Sequence, residues 1–175
     1  MNFTRKLEPI YSLLSSTRSR FIATVDGFPA DRWRESPADE VWSAAEVVTH
    51  TMQVEESIVA ASKRALVAGP KPIPFLKRFH PPMAMASLRR RKFKTPIRLD
   101  ERRIPEKSEY VERITATRKA TLDFIASVAD KNLSDYSFPH PAFGPLNLYS
   151  WFRLIAYHEI RHAKQIREVA ETFHQ

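Results

Sequence analysis

The chain has 175 residues, 43% of them hydrophobic, which fits one domain spanning 1–175 with a real core and excludes global disorder. Cysteine is absent, which excludes a disulfide framework, a thiolate metal site and a cysteine nucleophile, and fits a reducing, cytoplasmic compartment. The formal charge of +8 is local: residues 71–107 hold 12 Lys/Arg against 3 Asp/Glu, so the remainder is close to neutral and the whole surface is not basic.

No apolar h-region follows Met1, so no signal peptide is expected, and no apolar run approaches membrane-spanning length. The first helix is predicted from about Leu7 to Asp26. Leu7, Ile10, Leu14, Thr17 and Phe21 recur at helical spacing, Pro9 delays or bends the start, and Gly27-Phe-Pro ends it. The second helix opens on a capping box, Ser43-Ala-Ala-Glu46, with Trp42 and Val47 at the two positions of a hydrophobic staple. It runs to about Ala68, where Gly69-Pro70 stops it. A basic, proline-rich connection follows over 70–106, with room for a short helix around Met83–Lys92. The third helix is predicted from Ser108 as N-cap to about Asp130, with Val111, Ile114, Leu122 and Ile125 inward. The fourth begins after Gly144-Pro145, capped by Asn147, and runs to about Phe173. No repeat and no strand pattern emerges, and four amphipathic helices of this length make an all-α four-helix bundle.

Histidines interrupt two of the inward stripes. On the second helix the stripe is Val47, His50, Val54, Ile58 and Ala61. On the fourth it is Trp151, Leu154, Ile155, His158, His162, Ile166, Val169 and Phe173. His158 and His162 are four residues apart and share a helix face. Imidazole is a borderline nitrogen ligand for zinc, nickel, iron and copper, and a His-x-x-x-His pair with a third histidine across the bundle forms a facial set with open positions. The alternative is three core histidines satisfied by hydrogen bonds, and the pattern alone leaves both readings open. His158-Glu-Ile-Arg-His162 also matches the zinc-protease motif with Glu159 as general base. The downstream glycine turn and third ligand are missing, so a protease is not expected. His140 lies in a proline-rich loop and reads equally as structural or functional. Gln165 either orients a ligand or satisfies a helix contact, His80 and His174 are expected at the surface, and Trp33, Trp42 and Trp151 read as core or cap residues.

Three matching elements stand in order: Trp42-Ser43-x-x-Glu46-Val-Val-x-His50, His140-Pro-x-x-Gly144-x-Leu146, and His158-x-x-x-His162-x-x-Gln165-Ile166. On these the sequence resembles the DinB/YfiT-like superfamily of helical-bundle metalloproteins. The resemblance implies that His50, His158 and His162 are metal ligands, for zinc, nickel, iron or manganese, and that the protein is a homodimer. It further implies an S-transferase, isomerase or hydrolase activity using a low-molecular-weight thiol. The 70–106 connection is long for the family.

The leading expectation is therefore a metal-dependent enzyme whose ion activates a small thiol or water toward a small-molecule substrate, anionic if the basic connection draws it in. One alternative is a nucleic-acid or anionic-surface binder working through Arg89-Arg-Arg-Lys92, Phe93 and Lys94, although helix-turn-helix, zinc-finger and RNP patterns are absent. Another is a metal-binding bundle without catalysis. The 70–106 connection is expected to pack through Ile73, Phe75, Leu76, Phe79 and Met83, to cover one mouth of the bundle, and to turn its arginines to solvent or an anionic ligand.

Overall fold

The computed structural model describes residues 4–74, 83–87 and 98–173. Helix α1 spans Thr4–Asp26, α2 Ala44–Ala68, α3 Tyr110–Ser127 and α4 Leu148–Thr172. Pro9 lies within α1, whose first turns carry on through it. The Ser43 hydroxyl accepts from the Glu46 amide at 3.2 Å, and the Glu46 carboxylate accepts from the Ser43 amide at 2.8 Å, so the capping box is complete. Gly69 ends α2 at φ 87°, a conformation that a side chain disfavours. Asn147 caps α4 through the Ser150 amide at 3.0 Å.

Three expectations for α3 fail. Its cap position is Glu109, already helical and without a side-chain bond, so Ser108 is not the N-cap. The preceding turn is held instead by Lys107, whose ammonium donates to the Asp26 and Phe28 carbonyls at the end of α1. The buried face is then Tyr110, Ile114, Arg118, Thr121, Phe124 and Ile125, and Val111 turns outward with 39% of its surface exposed. The helix also stops at Ser127, three residues before the expected end.

A further correction concerns strands. Ser137–His140 (β1) and Gly144–Asn147 (β2) form an antiparallel hairpin in register Ser137↔Asn147 and His140↔Gly144. Each strand is four residues long and they oppose Pro139 to Pro145, so neither alternation nor β-propensity announces them. The hairpin is fixed by packing: Phe138 stacks on Trp151 at 4.2 Å, and the Trp151 indole donates to the Phe138 carbonyl at 3.2 Å.

Helix α4 packs against α1 and α2, and α2 against α3. The core forms two apolar clusters. One, at the hairpin end, includes Leu7, Ile10, Leu14, Ile58, Ile125, Leu146, Phe152 and Ile155. The other includes Phe21, Phe28, Trp33, Val47, Val48, Tyr110, Ile114, Ile166 and Val169. Between them lies a polar layer to which every helix contributes one charged side chain: Arg18, Glu55, Arg118 and Glu159, none more than 6% exposed.

The described parts of the connection are tied down along the bundle. The Lys71 amide donates to Asp135 O at 2.6 Å, and Ile73 is buried. Residues Met83–Ser87 form a 3-10 turn against α4, where Lys164 donates to Ser87 O at 3.3 Å. Further on, the Asp100 amide donates to Gln53 at 3.4 Å, Arg103 grips Glu56 with two 2.8 Å bonds, and the Trp33 indole donates to Pro105 O at 2.8 Å. The expected helix beyond Ser87 and the side chains of Phe75, Leu76, Phe79, His80, Met83, Arg89, Arg90, Arg91, Lys92, Phe93, Lys94 and His174 lie outside the described residues or side chains.

Candidate metal centre

Helix α2 carries His50 two turns from its cap, and α4 carries His158 and His162 one turn apart. Packing α2 against α4 brings the three rings together, with centroids 5.1 Å apart for His50–His158, 5.0 Å for His50–His162 and 4.3 Å for His158–His162. One nitrogen from each lies within 4.8 Å of the others. The His158 and His162 Nε2 atoms are 3.1 Å apart. Two nitrogens each about 2.1 Å from one ion, at 90–110°, stand roughly 3.0–3.4 Å apart, so this pair already has the spacing of ligands on a common ion.

Three further observations fit a cation. His50 Nδ1 is buried without a hydrogen-bond partner, an arrangement that a bound ion would relieve. His162 Nδ1 donates to Gln165 Oε1 at 2.9 Å, which fixes the tautomer and leaves Nε2 as the lone-pair nitrogen facing the triad. Burial lowers the His50 pKa from its ordinary 6.5 to about 4. His158 is half-buried, and burial, followed by the neighbouring His162 and His50, pushes its pKa well below the usual range. Both rings are therefore neutral near pH 7, the protonation state in which imidazole binds metal. The arrangement is compatible with a metal-binding site, and the sequence had singled out all three residues.

Trp42 packs on His50 at 4.8 Å, so the staple residue also walls the triad. His140 closes the hairpin tip, its Nδ1 accepting the Ala142 and Phe143 amides at 3.0 and 3.2 Å, with its ring against Trp151. These bonds hold the hairpin tip, and the ring also lies close enough to His158 to act on its charge. Trp33 is a core residue, 3% exposed.

Glu159 is not placed as a general base. Its carboxylate is 1% exposed and contacts Arg18 Nε at 2.8 Å and Arg118 Nη2 at 3.3 Å. Glu55 contacts the same two arginines, at 2.6 Å from Arg18 Nη2 and 2.7 Å from Arg118 Nε. The four groups thus form a neutral closed ring. Burial alone would raise the Glu55 carboxyl, but the charges of Arg118 and Arg18 and the hydrogen bonds from Arg118 and Thr121 together outweigh it and hold it below the usual range. Burial dominates at Glu159 and raises it. Sequence reading passed over Arg18, Glu55 and Arg118. Their signal was present: each occupies an apolar stripe, Arg18 between Leu14 and Phe21, Glu55 between Met52 and Ile58, Arg118 between Ile114 and Ile125.

Two of the described arginines of the connection are held by carboxylates. Arg102 is paired with Asp100 at 2.9 and 3.0 Å, and Arg103 with Glu56.

The sequence model of the DinB superfamily matches residues 13–166. An uncharacterized protein of Bacillus subtilis (strain 168), YuaE, is 24% identical over 161 residues, covering 91% of this chain and 96% of its own length.

Proposed function

The chain belongs to the DinB superfamily, and from that premise we propose that it is a metal-dependent enzyme in which His50, His158 and His162 hold one divalent ion and a small thiol or water is the nucleophile. The observation that carries this reading is the convergence of three ring nitrogens within 4.8 Å, one of them on a ring with a buried, partnerless Nδ1. Bound there with positions left open, the ion supplies Lewis acidity that lowers the pKa of a thiol or of water toward neutrality.

The chain's own residues prepare the place. Gln165 orients His162, and burial keeps His50 and His158 neutral. Trp42 packs against the His50 ring. Glu159 is occupied by two arginines and takes no proton from a substrate, which separates this centre from a zinc protease despite the shared motif. A low-molecular-weight thiol suits a chain without cysteine, because the sulfur must then arrive from outside.

Elemental analysis of tag-free protein tests the site: one divalent ion per chain is expected, lost in His158→Ala. Tight stoichiometric binding by the triple alanine variant at His50, His158 and His162 would overturn the assignment. A screen with glutathione, bacillithiol and mycothiol against electrophiles tests the reaction. Absence of metal-dependent turnover in a loaded protein would leave a non-catalytic metal-binding bundle as the better reading.

A further inference from the structure

Helix α2 bears His50, and five residues on, about 7.5 Å along the axis, it bears Glu55. Helix α4 bears Glu159 between His158 and His162. The two helices that carry the triad therefore each carry one carboxylate of the buried ring. Each arginine touches both carboxylates: Arg18 reaches Glu55 and Glu159, and so does Arg118, which adds a second bond to Glu55 at 3.1 Å. The arginines are themselves fixed reciprocally. Arg18 in α1 donates to the Ile114 carbonyl of α3 at 2.7 Å, and Arg118 in α3 donates to the Leu14 carbonyl of α1.

We propose that the ring of Arg18, Glu55, Arg118 and Glu159 sets the register of α2 against α4 and so positions the histidine triad, making Glu55 and Glu159 positioning residues of the metal centre. The inference rests on the metal reading above. Apolar layers tolerate more than one packing of similar energy, whereas a buried polar contact with fixed partners selects one register. A metal site has little tolerance, since ligand distances must hold to about 0.2 Å. A slide of α2 along α4 by even 1 Å would carry His50 out of reach of an ion held by His158 and His162. Glu159 directly follows His158 in α4, and the bidentate Arg118–Glu55 pair, with the single Arg118–Glu159 bond at 3.3 Å, is directional as an apolar layer is not.

The test is a cobalt(II) titration followed by the visible d–d absorption of the bound ion. Wild type is compared with Glu159→Gln, with the fourfold variant Arg18→Met, Glu55→Leu, Arg118→Met, Glu159→Leu, and with Glu56→Gln, which breaks an ion pair on α2 outside the ring. Replacing a whole buried ion network by apolar groups often leaves stability unchanged or higher, so the fourfold variant separates positioning from stability. Wild type and Glu56→Gln should bind one equivalent with the same spectrum. Glu159→Gln and the fourfold variant should bind 10–100-fold more weakly with a shifted band. A folded ring variant with wild-type affinity and spectrum would overturn the positioning role while leaving the metal centre intact. Failure of wild type to bind cobalt would overturn the metal reading and this inference with it. Should both ring variants fail to fold, side-chain hydrogen exchange in wild type decides. Zinc should slow the Arg118 Nε–H proton, which donates to Glu55, at least tenfold beyond its effect on the buried Trp33 indole N–H, and equal slowing would overturn the proposal.

Discussion

Acidification of the metal-free protein should reveal His50 as a proton-excluding group. In the unfolded chain this imidazole binds a proton near its ordinary 6.5, and in the folded chain burial delays that to about 4. Between those values the unfolded state holds more protons than the native state, so stability falls as pH falls. The contribution is fully present above 6.5, is lost progressively down to about 4, and is flat below. A difference of that size corresponds to about 3 kcal/mol, a large share of the 5–15 kcal/mol typical of a domain. The assay is urea unfolding of chelator-treated protein at closely spaced pH values, in parallel with His50→Gln, which cannot titrate. The difference between the two stability curves isolates His50 from Glu55 and Glu159, which also titrate. Parallel curves between pH 7 and 4 would refute the buried, neutral placement of this ring.

Three other outcomes are expected. Ser43→Ala removes the acceptor for the Glu46 amide and should destabilise the protein by about 1 kcal/mol in urea unfolding, without changing metal stoichiometry. Gln165→Ala frees the His162 ring and should weaken zinc binding roughly 10–100-fold in competition with a chromophoric chelator, while the metal-free melting temperature stays put. The zinc-loaded protein should not cleave peptides; cleavage abolished by Glu159→Gln with zinc retained would show that the arginine pairing does not occupy that carboxylate as described.

Local chemistry explains which features could be read in advance. The α2 start was legible because Ser43 and Glu46 satisfy each other within one turn, whatever the rest of the fold does. The triad was legible because helical periodicity alone places His158 beside His162, and His50 stands on an apolar stripe. The start of α3 was not, because Ser108 lost to a tertiary contact: Lys107 reaching the end of α1 some eighty residues away. The hairpin was hidden for the same reason, since Phe138 and Trp151 hold strands that Pro139 and Pro145 would not advertise. The charged ring was the hardest to foresee. Arg18, Glu55 and Arg118 break their stripes one at a time, and only the packing of four helices shows that the breaks coincide.

The same ring constrains how this chain can diverge. Changing any one of Arg18, Glu55, Arg118 or Glu159 to an apolar residue strands an uncompensated charge in the interior, at a cost of about 3–5 kcal/mol. Changing all four together is close to neutral. The two endpoints are both viable sequences, but nearly every single step between them passes through a protein at the edge of unfolding. Mutational drift therefore meets a valley here that surface pairs such as Arg103–Glu56 do not present. Relatives of this chain should hold the full set of four charges, one Arg–Glu pair in contact, or none, with unbalanced sets confined to sequences that gained a compensating charge elsewhere in the same layer.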